Sequence, residues 1–198
     1  FYDATEGQVI VDGVNVKDYT LEQLNNKIGY ISQKAVLFSG TVKSNIILGE
    51  KDGLKPNDEE IKKALEISQS KFVDDLPNGV DSEINQGGKN VSGGQKQRLS
   101  IARALARDPE ILIFDDSFSA LDYKTDKELR QALKEKAADK TCLIVAQRIG
   151  TIKNADKIIV LDEGTVVGEG THDELMANCK IYKEIALSQL SKEELKNA

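Results

Sequence analysis

Two short stretches decide the fold: residues 91–98 read Val-Ser-Gly-Gly-Gln-Lys-Gln-Arg, and residues 111–116 read Ile-Leu-Ile-Phe-Asp-Asp. The Ser-Gly-Gly step predicts the start of a helix, whose first backbone amides have no partner within the helix and whose dipole favours an anion. The apolar run of the second stretch predicts a buried strand with two carboxylates at its carboxyl end. Because carboxylate oxygens suit Mg²⁺, the two stretches together indicate a site for a nucleotide.

Size and composition fit one globular domain with room for a subdomain. The chain has 198 residues, of which 39% are hydrophobic and 30% are charged. These fractions are typical of a folded chain rather than a disordered one. The formal net charge of −6 argues against a nucleic-acid partner, because binding to phosphate backbones needs a basic face.

No segment of the sequence predicts a membrane span or a signal peptide. The longest apolar runs, residues 111–114, 142–146 and 158–161, are too short to cross a bilayer. The two cysteines, Cys142 and Cys179, favour reduced thiols in a cytoplasmic protein over a disulfide framework.

The first half of the chain predicts a hairpin, a strand and a helical stretch. Residues 8–16 predict a hairpin around Asp12-Gly13, a tight-turn signal. Thr20 and Gln23 form a capping-box pattern for a helix to about residue 27, and a strand is expected at residues 28–32. Residues 56–107 then predict mainly helix.

Two predicted helices lie in that stretch, one beginning after Asn57 and the other spanning residues 94–106. The residues expected on their buried faces are Ile61, Ala64, Leu65 and Ser68 in the first, and Leu99, Ala102, Leu105 and Ala106 in the second.

After residue 109 the pattern alternates between strand and helix, which is typical of a parallel α/β sheet. Strands are predicted at residues 111–114, 142–146 and 158–161, with a hairpin turn at residues 162–164. A helix at residues 123–138 is expected to bury Leu129, Ala132, Leu133 and Ala137. A capping box at Thr171 and Glu174 opens a tail that is predicted to be helical almost to its end.

Several short motifs occur in an order that resembles the nucleotide-binding domain of ABC transporters, especially of bacterial exporter-type half-transporters. The resemblance extends over essentially the whole chain. The motifs are a Gln loop at residues 30–33 (Tyr-Ile-Ser-Gln), an exporter-like stretch at 37–42, the signature at 92–95, a Walker B strand ending at Asp115, a D-loop at 119–122 and a switch region at 145–148 (Val-Ala-Gln-Arg).

The resemblance implies a RecA-like P-loop NTPase core with a mainly parallel sheet, a partial N-terminal antiparallel β-subdomain and an inserted α-helical subdomain. We expect residues 1–33 to form the partial β-subdomain and core, and residues 34–107 the Gln loop and helical subdomain with the signature. Residues 108–198 are expected to form the core that carries Walker B, the D-loop, the switch region and the C-terminal helices.

The same resemblance implies roles for individual residues, with ATP and Mg²⁺ as the ligands. In a head-to-tail dimer the signature of one subunit contacts the γ-phosphate of ATP held by the other. The loop after Gln33 meets the coupling helices of the transmembrane domain. The implied site residues are Ser92, Gly93, Gly94 and Gln95 for ATP in trans, Asp115 and Gln33 for magnesium and the attacking water, and Ser119 and Asp122 for the D-loop at the dimer interface. Asp122 is also expected to cap the helix that follows it.

Two positions depart from the family pattern, and both bear on hydrolysis. The family usually has Glu as general base where this chain has Asp116, whose carboxylate is one methylene closer to the backbone. A misplacement of about 1 Å can cost on the order of a hundredfold in rate. The family's switch histidine is replaced by Gln147, a neutral amide. The only histidine, His172, is expected to be a first-turn helix residue and not a substitute.

We therefore expect a degenerate site of the kind found in one half of a heterodimeric exporter, with a non-identical half-transporter as partner. The assembly would lie at the cytoplasmic face of the cell membrane, attached through transmembrane domains that are absent from this chain.

A Walker A motif, G-x-x-x-x-G-K-[ST], does not occur in the sequence; residues 87–90 (Gly-Gly-Lys-Asn) do not match it. In the family, that motif lies just ahead of a segment that resembles residues 1–7. We expect the sequence to be a piece that starts late in the first helix and that by itself binds ATP weakly or not at all.

Three alternatives stay open at this stage. A homodimeric exporter could tolerate Asp116 and Gln147. A soluble ABC ATPase of the DNA-repair or chromosome-organising type would need long heptad repeats between the Gln loop and the signature, where this chain has only a short helical segment. A non-hydrolysing interaction module would use the fold without nucleotide. The missing Walker A motif supports this alternative, whereas the signature and Asp115 argue against it.

Overall fold

The computed structural model describes residues 3–48 and 53–189, and the chain divides into two compact units between Leu143 and Ile144. We call residues 1–143 the first unit and residues 144–198 the second unit. Phe1, Tyr2, residues 49–52 and the predicted helical end at residues 190–198 lie outside the described residues. The domain boundaries expected after residues 33 and 107 stay predictions.

The first unit begins with the predicted hairpin. Strand β1 (Ile10–Val11) pairs antiparallel with β2 (Val14–Asn15). The two turn residues, Asp12 and Gly13, have φ values of 49° and 78°. A tight hairpin turn of this kind requires positive φ at both central positions, which Asp and Gly tolerate. The hairpin prediction is therefore confirmed.

Three of the predicted strands pair in one sheet, in the order β3-β6-β7. Its strands are β3 (Ile28–Ile31), β6 (Ile111–Asp115) and β7 (Thr141–Val145). Strands β3 and β6 run parallel, with Ile28 opposite Ile111 and Ile31 opposite Phe114. This pairing confirms the predicted parallel α/β character. A separate two-stranded antiparallel ribbon, β4 (Gly40–Thr41) with β5 (Glu83–Ile84), has no counterpart in the sequence-based expectations.

Five α-helices lie in the described part of the first unit: α1 (Leu21–Lys27), α2 (Val42–Ile46), α3 (Asp58–Ile67), α4 (Gly93–Ala106) and α5 (Tyr123–Lys136). The predicted capping boxes at Thr20 and Asn57 are both present, with Gln23 and Glu60 as their partners. The short helix α2 was not predicted, because its capping box pairs Thr41 with Ser44 and not with the usual Glu or Gln.

Helix α4 lies at the core of the first unit, since α2, α3 and β3 all pack against it. The four residues predicted on its buried face are buried, and so are Ile101 and Ala104 on its other faces. Helix α3 buries Ile61, Ala64 and Ser68 as predicted, while Leu65 is half-buried and Ile67 is buried in its place. All four residues predicted to be buried along α5 and its C-terminal cap are buried.

The second unit contains α6 (Ile149–Ile152), β8 (Ile158–Asp162), β9 (Thr165–Gly170), α7 (His172–Asn178) and α8 (Lys180–Gln189). Strands β8 and β9 form the predicted antiparallel hairpin. Its hydrophobic core consists of Ile149, Ile158, Val160, Leu175, Cys179, Tyr182 and Ala186.

His172 is the first residue of α7, as expected, and its Nδ1 lies 2.8 Å from the Tyr182 hydroxyl oxygen in the interior of the second unit. Both cysteines are free thiols. Within residues 3–48 and 53–189, no helix combines the length and the apolarity that a membrane span needs.

Gly29 allows the close packing that places β3 on α4 and β6. We expect Gly29→Ala to lower the free energy of unfolding by about 1–3 kcal/mol, because overpacking a tight interior displaces its neighbours. The added methyl group would lie 2.8 Å from Pro109 Cγ and 3.0 Å from Leu112 Cδ2. Chemical denaturation measures this change. Gly150→Ala is the matched control, since its methyl group would meet nothing within 4 Å, and equal losses in the two variants would contradict the prediction.

Candidate nucleotide site

The carboxyl ends of β3 and β6 bring the predicted metal-site residues together. The parallel register places Ile31 beside Phe114, so that the residues after each strand meet at one edge of the sheet. There, Gln33 Nε2 donates a hydrogen bond to Asp116 Oδ2 at 3.1 Å. The structure therefore joins two of the predicted site residues that are 83 positions apart in the sequence.

Tyr30 supplies a second donor to this edge, which sequence reasoning did not identify. Its hydroxyl donates to Asp115 Oδ2 at 2.7 Å. The hydrogen bond to the Asp115 carboxylate is the main cause that raises the pKa of Tyr30 above its ordinary value. The available signal was strand alternation: Tyr30 is a polar-tipped residue between the buried Gly29 and Ile31, on the more exposed face of β3.

The backbone reverses direction directly after β6. Asp116 has a φ of 45°, in the left-handed region that Asp and Asn adopt more readily than most residues. The Ser119 backbone amide and hydroxyl both donate to the Asp116 carbonyl oxygen, at 3.3 and 2.7 Å. Ser119, a predicted D-loop residue, therefore stabilises the turn that sets the position of the Asp116 carboxylate.

Asp122, the other predicted D-loop residue, caps α5 as expected. It accepts hydrogen bonds from the Thr125 amide at 3.0 Å and from the Thr125 hydroxyl at 2.7 Å. These two bonds lower the pKa of Asp122, because they stabilise its charged form. The capping role is confirmed, and the role at a dimer interface stays a prediction.

The signature residues form the N-terminus of α4. The Ser92 hydroxyl accepts from the Gln95 amide at 3.2 Å, and Gln95 Oε1 accepts from the Ser92 amide at 2.9 Å. Ser92 and Gly93 are exposed, so this helix end is open to solvent. A Cβ at Gly94 would lie 3.5 Å from the Ala120 carbonyl oxygen, which places the D-loop beside the signature in the same chain.

Two side chains of α4 connect the signature helix to the Gln-loop segment. The buried Gln97 donates from Nε2 to the Ser32 carbonyl oxygen at 3.1 Å, directly before Gln33. Arg103 donates to the Asn45 and Val36 carbonyl oxygens at 2.8 and 2.9 Å. Gln97 was missed, although its position four residues before the apolar Ile101 places a polar side chain on a buried face of α4.

The segment after Gln33 folds around the buried Asn45. Asn45 Oδ1 accepts from the Phe38 amide at 2.8 Å, and Asn45 Nδ2 donates to the Phe38 and Thr41 carbonyl oxygens at 2.9 and 3.0 Å. Val36 and Phe38 nevertheless remain 56% and 53% exposed. The Asn45 side chain therefore holds the backbone of this segment in place, while the apolar side chains of Val36 and Phe38 remain exposed.

The switch region follows β7 and belongs to the second unit. Gln147 lies two residues beyond the end of β7, and its carbonyl oxygen accepts from Gln189 Nε2 at 2.8 Å. Arg148 is the N-cap residue of α6, and its side chain makes no capping hydrogen bond.

Asp115 and Asp116 are the carboxylates at this edge that could take part in holding a magnesium nucleotide. Among residues 3–48 and 53–189, no group of three or more His, Cys, Asp and Glu residues could hold a metal ion. Proteins usually bind Mg²⁺ through one or two carboxylates together with substrate phosphates, and Asp115 and Asp116 supply that number. The start of α4 is exposed at Ser92 and Gly93, and a helix N-terminus suits a phosphate.

Comparison with known proteins agrees with this geometry. The family profile described as ABC transporter matches residues 1–119. A multidrug export ATP-binding/permease protein of Staphylococcus aureus is 45% identical over 186 residues, and an ABC transporter ATP-binding protein of Mycobacterium bovis is 44% identical over 189 residues. The alignments cover 93% and 95% of this chain but 32% of each relative, so that the chain spans about a third of their length.

A solved structure also matches the fold. A bacterial Atm1-family ABC exporter with ATP bound superimposes with a TM-score of 0.89 and 34% identity, over 96% of this chain and 33% of the other. The profile covers more than half of the chain and includes the Gln loop, the signature and Walker B. The chain therefore belongs to the ABC transporter family and has the RecA-like fold of that family's nucleotide-binding domain.

Proposed function

We propose that this chain is the ATP-binding domain of an exporter, in which ATP binding and hydrolysis at a head-to-tail dimer interface drive transmembrane export. The observation that carries the proposal is the edge formed by β3 and β6. There, Gln33 and Tyr30 donate to the carboxylates of Asp116 and Asp115, which were predicted to serve water and magnesium. Sequence relatives named as export ATP-binding proteins support the same assignment.

In this proposal, Asp115 would help to hold Mg²⁺ and Gln33 would orient the water that attacks the γ-phosphorus of ATP. Asp116 would accept a proton from that water, and ADP would leave as the bond to the γ-phosphate breaks. Bound Mg²⁺ would offset the charge of the ATP phosphates. Gln147 would hydrogen-bond the γ-phosphate. The Walker A loop would have to complete the nucleotide site, and the 198 residues contain no such motif. We therefore propose that this chain by itself binds ATP weakly.

The site of this subunit would hydrolyse ATP slowly. Asp116 is shorter than the family's Glu, and its carboxylate already accepts a hydrogen bond from Gln33. Gln147 is neutral and cannot become cationic as negative charge develops on the phosphate. Both departures would weaken the same chemical step. This supports the proposal that the chain belongs to the degenerate half of a heterodimer.

The signature would serve a second, non-identical subunit. Ser92 and the Gly94 amide would contact the γ-phosphate of the partner's ATP, which requires the exposure that Ser92 shows. Val36 and Phe38 offer an apolar surface to the coupling helices of the transmembrane domain, because the Asn45 and Arg103 bonds hold their backbone in place. The domain would then lie at the cytoplasmic face of the membrane.

We expect Ser92→Ala in the assembled transporter to lower ATPase activity roughly tenfold or more, because a hydroxyl bonded to a charged phosphate is lost. Steady-state phosphate release measures the effect. The substitution also removes a helix cap, which costs about 1 kcal/mol. Thr20→Ala is the matched control, since Thr20 makes the same capping box with Gln23 on the exposed helix α1.

Equal activity losses in the Ser92→Ala and Thr20→Ala transporters would show that only the cap matters. A loss confined to Ser92→Ala supports recognition of ATP by the signature. Mixed assemblies, with the substitution in one subunit at a time, then assign the loss to the partner's nucleotide.

We expect Asp116→Glu alone to change turnover little, and Asp116→Glu with Gln147→His to raise it by about a hundredfold, the smaller end of general acid–base effects. The φ of 45° at Asp116 adds a reason for the weak single effect, since the left-handed region suits Asp better than Glu. ATPase assays of the assembled transporter compare the single and double variants. A full gain from Asp116→Glu alone would contradict this prediction.

The degenerate site also predicts low activity for the complete subunit when it pairs with itself. ATPase activity of that homodimer equal to activity of the mixed assembly would instead support the homodimeric exporter. Analytical ultracentrifugation with ATP confirms that the homodimer has formed before its activity is compared.

A further inference from the structure

Helix α8 of the second unit reaches the switch backbone through the side chain of Gln189. Gln189 is the last residue of α8 that the structure describes. Its Oε1 accepts a hydrogen bond from the Ile149 amide at 2.9 Å, and its Nε2 donates to the Gln147 carbonyl oxygen at 2.8 Å. The two bonds fall on either side of Arg148, so that a single amide group holds the switch backbone at two points.

The Ile149 bond replaces a cap that the local sequence does not provide. The first amides of a helix have no partner within the helix, and an N-cap side chain normally accepts from one of them. Arg148 occupies the N-cap position of α6 and makes no such bond. Gln189 supplies the acceptor from a helix that begins 31 residues later in the sequence.

Helix α8, which carries the Gln189 side chain, is anchored in the core of the second unit. Tyr182 and Ala186 on α8 are buried in the core of the second unit together with Ile149. The Tyr182 hydroxyl oxygen is also hydrogen-bonded to the buried His172 at 2.8 Å. Helix α8 packs against Ile149, and Gln189 accepts a hydrogen bond from the Ile149 backbone amide. The packing therefore sets the distance between the Gln189 side chain and α6.

A primary amide is the group that satisfies both backbone atoms at once. It donates through its nitrogen and accepts through its oxygen, whereas a carboxylate only accepts. Glutamate at position 189 would therefore keep the Ile149 bond and lose the Gln147 bond. Leucine would fill a similar volume and lose both.

We infer that Gln189 is a positioning residue for the switch: it fixes the backbone at Gln147 and thereby aims the Gln147 side chain at the γ-phosphate of ATP. The inference rests on the role proposed above for Gln147. Through Gln189, α8 would therefore influence the preference of the subunit for ATP over ADP.

The first test uses hydrogen exchange in the full-length subunit to measure how firmly Gln189 holds the switch backbone. Each neutral hydrogen bond is worth a factor of a few in an equilibrium, so the Ile149 amide should exchange roughly tenfold faster in Gln189→Leu. Gln189→Glu should leave it protected. Ser188→Ala is the matched control, because the Ser188 hydroxyl donates to the Ile185 carbonyl oxygen within α8 itself. Unchanged exchange in Gln189→Leu would overturn the inference.

The second test compares the affinity of the full-length subunit for ATP with its affinity for ADP. Both affinities are obtained by measuring the bound nucleotide directly. We expect Gln189→Leu and Gln189→Glu to lower the preference for ATP over ADP about fivefold, since a misplaced amide loses part of a hydrogen bond to a charged group. Ser188→Ala should not change the ratio. Because Gln189→Glu keeps the α6 cap, a lower ratio in that variant cannot come from unfolding of α6.

Gln147→Ala separates this inference from the proposed function. If Gln147→Ala lowers the ATP preference and neither Gln189 variant does, the inference about Gln189 is wrong and the proposed function stands. If Gln147→Ala leaves the preference unchanged, the proposed role of Gln147 is wrong and the inference falls with it.

Discussion

The parallel pairing of β3 with β6 is the constraint on which the candidate site depends. Strand register decides which residues emerge together at the edge of a sheet, and a shift by one residue would turn every side chain to the opposite face. Here the register sets Ile31 beside Phe114. As a result, Gln33 reaches Asp116 and Tyr30 reaches Asp115, and two carboxylates that would otherwise be merely exposed are oriented by neutral donors.

Helix α4 connects the signature to the segment around Gln33. Its N-terminus is exposed and capped by Ser92, while Gln97 and Arg103 bond to the segment on either side of Gln33. The bonds from α4 to backbone carbonyl oxygens make the helix and this segment one structural element. The proposed contact with a partner's ATP and the proposed contact with coupling helices therefore depend on the same helix.

The two departures from the family pattern are held in quite different ways. Asp116 sits in a turn with positive φ that Ser119 closes, so its carboxylate position follows from the backbone. Gln147 is held through its carbonyl oxygen by a side chain from the C-terminal helix. Because the backbone sets the turn at position 116, exchanging the Asp116 side chain alone need not restore catalytic geometry.

The sequence by itself determined most of the fold, because helix caps, turn residues and hydrophobic periodicity act over a few neighbouring positions. The Asp12-Gly13 turn, the capping boxes at Thr20 and Thr171 and the buried face of α5 were all predictable on this basis. Only the tertiary structure decided which distant groups meet. The partners of Tyr30 and Gln189 lie tens of residues away, and no local pattern encodes a hydrogen bond that depends on strand register or on how one helix packs against another.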